Sequence, residues 1–375
     1  MKVLMNLLSA VAGGSLTHVR NVIAPLAREF EVDGRHQLRL LVHRSQLAML
    51  SNIPNLKMHI IDGVMPRSYR RLIWEKWNIR AYLGSIDVYF IPYQVGPLPK
   101  HVRTVLMLQN MEPFWHWRYP YDLKTRMRNE TLNLLTWCDL RRADRVIAVS
   151  NFSRSYLTGH MGVPPERSVT VYNGCGPEFR APPAASDAEL LTKMGVNGDF
   201  VFTSGSLLPY RRLEDVIAAF ARVAASRRNL LLVITGGYLN DRYVAQIRSA
   251  IHGSGVGNQI VMLGSVSTET MAVLYRSCAC FVAASEIEAC PYTILEAMAS
   301  GCAIIAPNRP PFPELMGSNG LNVAARDVDA FSTSISKVVE DAALRNRLKH
   351  DAREASKRFS WERCARETFQ ALTVW

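Results

Sequence analysis

Short apolar or β-branched runs alternate with amphipathic stretches along almost the whole chain, and they do so in two series. KVLMNLL, QLRLLVH, LKMHIID, DVYFIPY, TVLMLQ, RVIAVS and SVTVYN read as strands before residue 176, and FVFTSGS, NLLLVITGG, QIVMLGS, ACFVAAS and CAIIAP do so after residue 198. Between them, residues 15–29, 67–83, 124–141, 212–226, 242–252, 268–277 and 292–300 have the composition of helices. Strands that are apolar on both faces must be covered by helices on both sides, so the rhythm predicts two doubly wound α/β domains with parallel sheets. The intervening GPEFRAPPAASDAELLTKMGVNGD is rich in Pro, Gly and small polar residues and reads as a linker. A chain of 375 residues exceeds one ordinary core. The expected division is a first domain over 1–178, a second over 179–355, and a helical segment over 356–375 that crosses back to the first.

Charge is distributed unevenly over these halves. Residues 1–180 hold 24 Lys/Arg against 13 Asp/Glu, a net of +11, whereas the remainder nets +1. The first half is therefore expected to face an anionic partner, or to carry ordinary solubilising charge. The seven cysteines show neither a CxxC pair nor metal-ligand spacing and are expected to be reduced thiols, with Cys278 and Cys280 packed in an apolar run. MKVLMNLLSAVAGG is expected to be a first buried strand rather than a signal peptide, and no apolar run is long enough to span a bilayer.

Ligands of parallel α/β domains sit at the C-terminal ends of strands, against helix N-termini. Three such places stand out. Gly13-Gly14 follows the first strand, where a glycine pair serves either an anion or a plain tight turn. It is not GxGxxG, and the second strand ends in LVHRS without an acidic residue for a ribose, which argues against a nicotinamide site. In FVFTSGSLLPYRRLEDVIAAF, Arg211 and Arg212 stand at a helix entrance, where a guanidinium can clamp a diphosphate or pair with Glu214 or Asp215. In CFVAASEIEACPYTILEAMASG, Glu286 and Glu288 precede a helix begun by Pro291, and Glu296 lies inside that helix. Carboxylates between apolar runs can accept bonds from sugar hydroxyls, and the amides of the first turn can meet an anion.

EACPYTILEAMASG resembles the E-x7-E segment of the retaining GT-B glycosyltransferases of family 4, in which E-G-F-G-x-P-x-x-x-E-A-M-A is the commoner form. GSLLPYRR resembles their phosphate loop, RADRVIAVSNFSRSYL and VTVYNG the end of their first domain, and VMLGSVSTETMAVLYRSCACFVAAS the segment before the acidic motif. The resemblance implies a GT-B fold: two Rossmann-like domains facing a central cleft, the first binding acceptor and the second a nucleotide sugar. It further implies that Gly14 offers its amide to the diphosphate and that Arg211 stands in for the family's phosphate lysine. Glu288 would contact the transferred sugar and Glu296 the ribose. The amides of Tyr292 and Thr293, beside Pro291, would meet the phosphates, and Gly264, Ser265 and Val266 would border the base. Ser206 occupies the usual arginine position, Ala289-Cys290 replace a glycine and an aromatic, and Gln109 stands where a histidine is usual. Gln hydrogen-bonds a hydroxyl but cannot donate a proton as imidazolium does. Asn110, Trp115 and His116 are the acceptor-side candidates.

The chemistry expected is transfer from a UDP, GDP or dTDP sugar, as co-substrate rather than cofactor, to a saccharide or lipid-linked acceptor of a bacterial surface polysaccharide or lipopolysaccharide. No DxD motif ends a suitable strand, so no metal is expected to take part. Residues 67–83, with Tyr69, Ile73 and Trp77 amid Arg67, Arg70, Arg71 and Arg80, read either as a helix packed on the sheet or as an interfacial one. Residues 114–128 read as packing or as an acceptor- or membrane-facing loop. A cytoplasmic protein touching an anionic inner leaflet is the expectation. Two other classes remain open: a sugar-nucleotide epimerase or phosphorylase of the same architecture, which needs no acceptor, and a nucleic-acid binder, for which no RRM, zinc or helix-turn-helix pattern exists.

Overall fold

A computed structural model describes residues 1–10, 13–50, 53, 56–63 and 69–375, and the chain divides into two compact units. The first comprises Met1–Trp117, Asp122–Gly174 and Phe359–Trp375; the second comprises Arg118–Tyr121 and Cys175–Arg358.

In the first unit the order is β1 (Lys2–Asn6), α1 (Gly13–Asp33), β2 (Gln37–His43), α2 (Leu47–Leu50), β3 (Lys57–Ile61), α3 (Tyr69–Asn78), β4 (Val88–Ile91) and β5 (Arg103–Leu108). There follow α4 (Glu112–Trp115), α5 (Leu123–Arg142), β6 (Arg145–Ala148), α6 (Asn151–Gly159) and β7 (Ser168–Thr170). The strands form one sheet in the order β3-β2-β1-β4-β5-β6-β7, every pair parallel. The strand order reverses between β1 and β4, the switch point at which such sheets open a crevice. Val3, Leu4, Met5, Val105, Leu106 and Met107 are wholly buried, which is why these runs lack the in–out alternation of a one-sided sheet.

The second unit runs α7 (Ser186–Lys193), β8 (Phe200–Ser204), α8 (Leu213–Ala224), β9 (Leu231–Thr235), α9 (Asp241–Gly253), β10 (Ile260–Gly264), α10 (Thr268–Ser277) and β11 (Cys280–Val282). It continues through α11 (Tyr292–Ala299), β12 (Ile304–Pro307), α12 (Phe312–Met316), β13 (Leu321–Val323), α13 (Val328–Glu340) and α14 (Ala342–Ser356). Its sheet is β10-β9-β8-β11-β12-β13, again all parallel, with the reversal between β8 and β11. Phe202, Tyr275 and Phe281 meet edge to face at 5.0–5.7 Å in its core, and Cys278 and Cys280 are fully buried there. The two parallel sheets make a pair of Rossmann-like domains, as the sequence leads one to expect.

The last helix, α15 (Trp361–Thr373), belongs to the first unit and lies on α1. Phe30 meets Phe369 edge-on at 4.9 Å and His18 meets Trp361 at 5.7 Å. Gly174 makes that approach feasible, since a Cβ there would stand 2.4 Å from the Trp361 backbone nitrogen.

Two local expectations need correction. The first long helix starts at Gly13 rather than at residue 15, so Gly14 is a residue of its first turn. In the basic-aromatic segment, Arg67 and the side chain of Tyr69 lie outside the described residues, and the helix ends at Asn78. Ile73 and Trp77 do not pack on the sheet; they are 53% and 76% exposed. The inward face of α3 is instead polar: Arg71 Nη1 donates to Glu75 Oε1 at 3.3 Å, and Asn6 Nδ2 donates to Glu75 Oε1 at 2.9 Å and to the Tyr89 hydroxyl at 2.7 Å. Once that pair faces inward, helical geometry turns Ile73 and Trp77 to solvent. Among the described residues, no helix is long and apolar enough to cross a membrane.

Candidate functional site

The second unit's switch point holds a small hollow. The ends of β8 (Thr203, Ser204), β9 (Ile234, Thr235) and the loop after β11 (Ala283 to Ser285) form its walls, with Thr293 of α11 and Phe312 closing it. Arg211, Glu288, Ser206 and Thr293, four residues expected from sequence, line this one space.

Arg211 reaches the hollow because the chain after β8 makes a tight sequence of turns. Gly205, at φ +136°, adopts a backbone conformation that L side chains rarely adopt, and a Cβ there would lie 3.0 Å from Arg211 Nη1. Pro209–Arg211 then form one 3₁₀ turn, and Arg212 takes a left-handed conformation at φ 53° before α8 begins. Arg211 is thereby aimed inward, and Arg212 outward to its own helix. Arg212 donates to both oxygens of Asp215 at 2.8 and 2.7 Å and sits 2.8 Å from Glu214 Oε1. In this structure it makes the helix-entrance ion pair that was the alternative to phosphate contact.

Arg211 Nη1 lies 2.7 Å from Glu288 Oε1, with the two side chains 22% and 10% exposed. The contact is ionic rather than a formed hydrogen bond, since both Glu288 Oε1 and Arg211 Nε are buried with no hydrogen-bond partner among the described residues. Burial raises the Glu288 carboxyl above its ordinary range, while Arg211 and a hydrogen bond from Ser285 pull it back. Burial opposes the charge on Arg211, but Glu288, Tyr210 and Tyr275 together outweigh it and the guanidinium stays above its usual value. Buried charged atoms with bonding capacity unused suit a polar ligand that supplies the missing partners.

Glu288 is set in place by its neighbour two residues earlier. Glu286 is held by Arg309 Nη1 at 3.1 Å, by Arg326 Nη2 at 2.6 Å and by the Tyr119 hydroxyl at 3.0 Å, and its backbone amide donates to the Tyr210 carbonyl at 2.9 Å. Tyr119 is part of the short segment Arg118–Tyr121 that packs with this unit. Sequence reasoning missed Tyr119, Arg309 and Arg326, which come from distant positions with no local motif. It also missed Thr203, Ser285 and Phe312, of which Ser285 could have been found from its place in the same loop.

Pro291 is the N-cap of α11 and Tyr292 its first residue, and Thr293 of that first turn lines the hollow. Glu296, one turn on, does not line the hollow; it accepts a bond from the Tyr275 hydroxyl at 3.2 Å, and burial pushes its carboxyl up to about 7. Gly264 ends the edge strand β10, two strands out from β8, Ser265 and Val266 follow it, and none of the three lines the hollow; the Gly264 carbonyl accepts from Gly236 N at 2.8 Å.

The remaining candidates belong to the first unit. Gly14 is exposed in the first turn of α1. Gln109 Nε2 donates to the Pro92 carbonyl at 2.9 Å, and the Asn110 amide donates to Gln94 Oε1 at 3.0 Å. His116 is buried, with Nδ1 on the Pro113 carbonyl at 2.9 Å and Nε2 3.6 Å from Glu130 Oε2. Trp115 stacks on Phe152 at 6.0 Å and meets Tyr156 at 5.0 Å. Asn110 Oδ1 accepts the Glu112 amide at 2.9 Å.

Comparison with known proteins bears on the same two halves. The model of Glycosyltransferase Family 4 matches residues 12–179, and that of Glycosyl transferases group 1 matches residues 193–355. The chain is 24% identical over 345 residues to O-antigen chain mannosyltransferase B of Escherichia coli, covering 92% of this chain and 87% of that one. It is 22% identical over 298 residues to the serotype-specific mannosyltransferase WbdA of the same species, covering 79% of this chain but only 36% of the length of WbdA. Among solved structures, Anabaena Alr3699/HepE in complex with UDP-glucose superposes with a TM-score of 0.78 at 18% identity, over all of both chains. With a parallel-sheet unit under each matching region and an Arg–Glu pair at the second sheet's reversal, the chain belongs to the group 1, family 4 glycosyltransferases of GT-B fold.

Proposed function

We propose that this glycosyltransferase moves a sugar, with retention at the anomeric carbon and without a metal ion, from a nucleotide-diphosphate donor to a saccharide or lipid-linked saccharide acceptor. The pathway would be that of a bacterial surface polysaccharide or lipopolysaccharide, an assignment supported by relatives that bear O-antigen and serotype-specific names. The observation that carries the reading is the Arg211–Glu288 pair, buried and incompletely hydrogen-bonded, beside the start of α11.

Breaking the sugar–phosphate bond leaves cationic character on the sugar and adds negative charge to the diphosphate. A guanidinium at 211 and the amino end of α11, both at the hollow, would meet such an anion with little reorganisation as it forms. Glu288, next to Arg211, is suited to the hydroxyls and the developing positive charge of the sugar. The leaving phosphate can take the acceptor's proton, so a histidine at the Gln109 position is not required. Glu296 would hold the ribose and Gly264 to Val266 the base.

The reading puts the reaction in the cytoplasm, at the inner face of the plasma membrane. Two relatives named as mannosyltransferases put mannosyl donors first in any panel, and the neighbour solved with UDP-glucose puts UDP donors second. Thermal shift with UDP-, GDP- and dTDP-sugars should find at least one that stabilises the chain. Arg211→Ala and Glu288→Ala should each abolish that shift; retention of full affinity in both would place the donor elsewhere. Turnover should survive EDTA, and an EDTA-dead enzyme rescued by a divalent cation would remove the metal-free step. Donor consumption that ignores acceptor would favour an epimerase or phosphorylase.

A further inference from the structure

Helix α5 has its polarity inside out. Its buried positions are Asn129, Thr136 and Leu140, and the inward side is served by polar contacts. Asn129 Nδ2 donates to Glu112 Oε1 at 3.3 Å, Gln94 Nε2 donates to Thr136 Oγ1 at 3.3 Å, and the Gly96 amide donates to Asp139 Oδ2 at 3.2 Å. The outward side carries Leu123, Met127, Leu134 and Trp137, between 43% and 74% exposed. At the turn angle of an α-helix these four fall within an arc of roughly 80°. Trp117, 64% exposed, stands just before the helix. A globular protein ordinarily buries such a stripe, and one left contiguous in solvent marks a contact surface.

The charges around the stripe decide what it contacts. Lys124, Arg126, Arg128, Arg141 and Arg142 are exposed on this one helix. Glu130 is its one exposed acid, and the Arg141 guanidinium lies 4.3 Å over the Trp137 ring. A second copy would set this row of cations against its own image, which repels. A bilayer with anionic headgroups offers what the face lacks: an apolar boundary for leucine, methionine and indole, and phosphates within reach of long cationic side chains that can bend outward.

We propose that α5 is the membrane-docking face of this protein, lying flat on an anionic lipid surface with Leu123, Met127, Leu134 and Trp137 inserted. The inference deepens the acceptor side of the proposed function: it rests on that reading for its purpose, since an acceptor carried by lipid must be met at the bilayer, but its geometry is independent of the donor site.

The test is flotation of the full chain with vesicles of phosphatidylcholine alone or mixed with phosphatidylglycerol. The protein should float with the mixed vesicles and not with the neutral ones, and added salt should weaken it. The double variants Leu134→Ser/Trp137→Ser and Arg141→Glu/Arg142→Glu should each lower the bound fraction roughly tenfold or more. Both should keep the wild-type thermal shift with nucleotide sugars, which shows that they fold. Absence of wild-type binding, or binding equal in both variants, overturns the proposal. So does a solution dimer that Leu134→Ser/Trp137→Ser disperses, which would make the face a self-contact. Flotation retained with no nucleotide sugar bound would sink the donor reading and leave the docking face standing.

Discussion

The two units share a topology and differ in what they do with its switch point. In the second, the reversal between β8 and β11 leaves a hollow lined by Arg211 and Glu288, each with a buried atom that has no hydrogen-bond partner among the described residues. In the first, the reversal between β1 and β4 brings Asn6 and Tyr89 together, and α3 covers them with Arg71 and Glu75 in one bonded network. The same sheet geometry thus leaves a hollow in one unit and carries a bonded polar cluster in the other. What separates them is which part of the neighbouring helix stands there: the first turn of α11 in one, charged side chains from the middle of α3 in the other.

The sharpest way to break this contrast is Arg211→Ala. If the guanidinium serves the leaving diphosphate, transfer should fall by about 10²–10³-fold in kcat. The raised carboxyl of Glu288 can take up a proton when its partner is lost, so the fold should survive; a melting curve and single-turnover rates separate the two effects. Glu75→Ala should do the opposite. It strands a buried Arg71 and should cost about 3 kcal/mol of stability while leaving nucleotide-sugar affinity of the folded protein intact. Loss of affinity there would show that the polar cluster is itself part of a site.

Acid should weaken the first unit through His18. Burial holds this imidazole down to about 4, against an ordinary 6.5, with Nδ1 3.1 Å from Asn173 Oδ1. The unfolded chain takes up that proton first, so stability falls as pH drops from 6.5 through 4, by about 3 kcal/mol in all. Denaturant midpoints at several pH values should show it, with a shallower slope in His18→Gln. In the second unit the sign reverses. Glu296 titrates at about 7 rather than 4.5, so its contribution to stability is complete below 4.5 and lost as pH rises through 7. If its carboxylate accepts ribose hydroxyls, nucleotide affinity should fall by up to about tenfold for each unit of pH below 7, and Glu296→Gln should flatten that profile. The smallest expected effect is on α5, where Leu134→Ser/Trp137→Ser should change stability by no more than about 0.5 kcal/mol per exposed position.

How much of this the sequence discloses depends on distance along the chain. Arg211 and Glu288 are each delivered by a single strand–loop–helix segment, and the residue types at a strand end and a helix start are readable locally. Two parallel sheets follow from the alternation of runs. The contact partners do not: Asn6 meets Glu75 across 69 residues, and Tyr119 meets Glu286 across 167. Helix α5 is evident from its composition, but which side faces inward is decided by Gln94, Gly96 and Glu112, three residues from other elements. The same holds for α3, whose Ile73 and Trp77 fit a packed or an interfacial stripe equally in the sequence, and whose inward side is taken by the Arg71–Glu75 pair.

The return of α15 to the first unit has a consequence for synthesis. Phe30, His18 and Gly174 are covered by residues 361–369, so a nascent chain that has just extended past residue 174 holds a first unit with one flank open. The intervening stretch through Arg358 can close its own core while the ribosome is still adding the remainder. The half of the molecule made earlier is therefore the half finished later, with that flank of α1 uncovered until residues 361–369 are made.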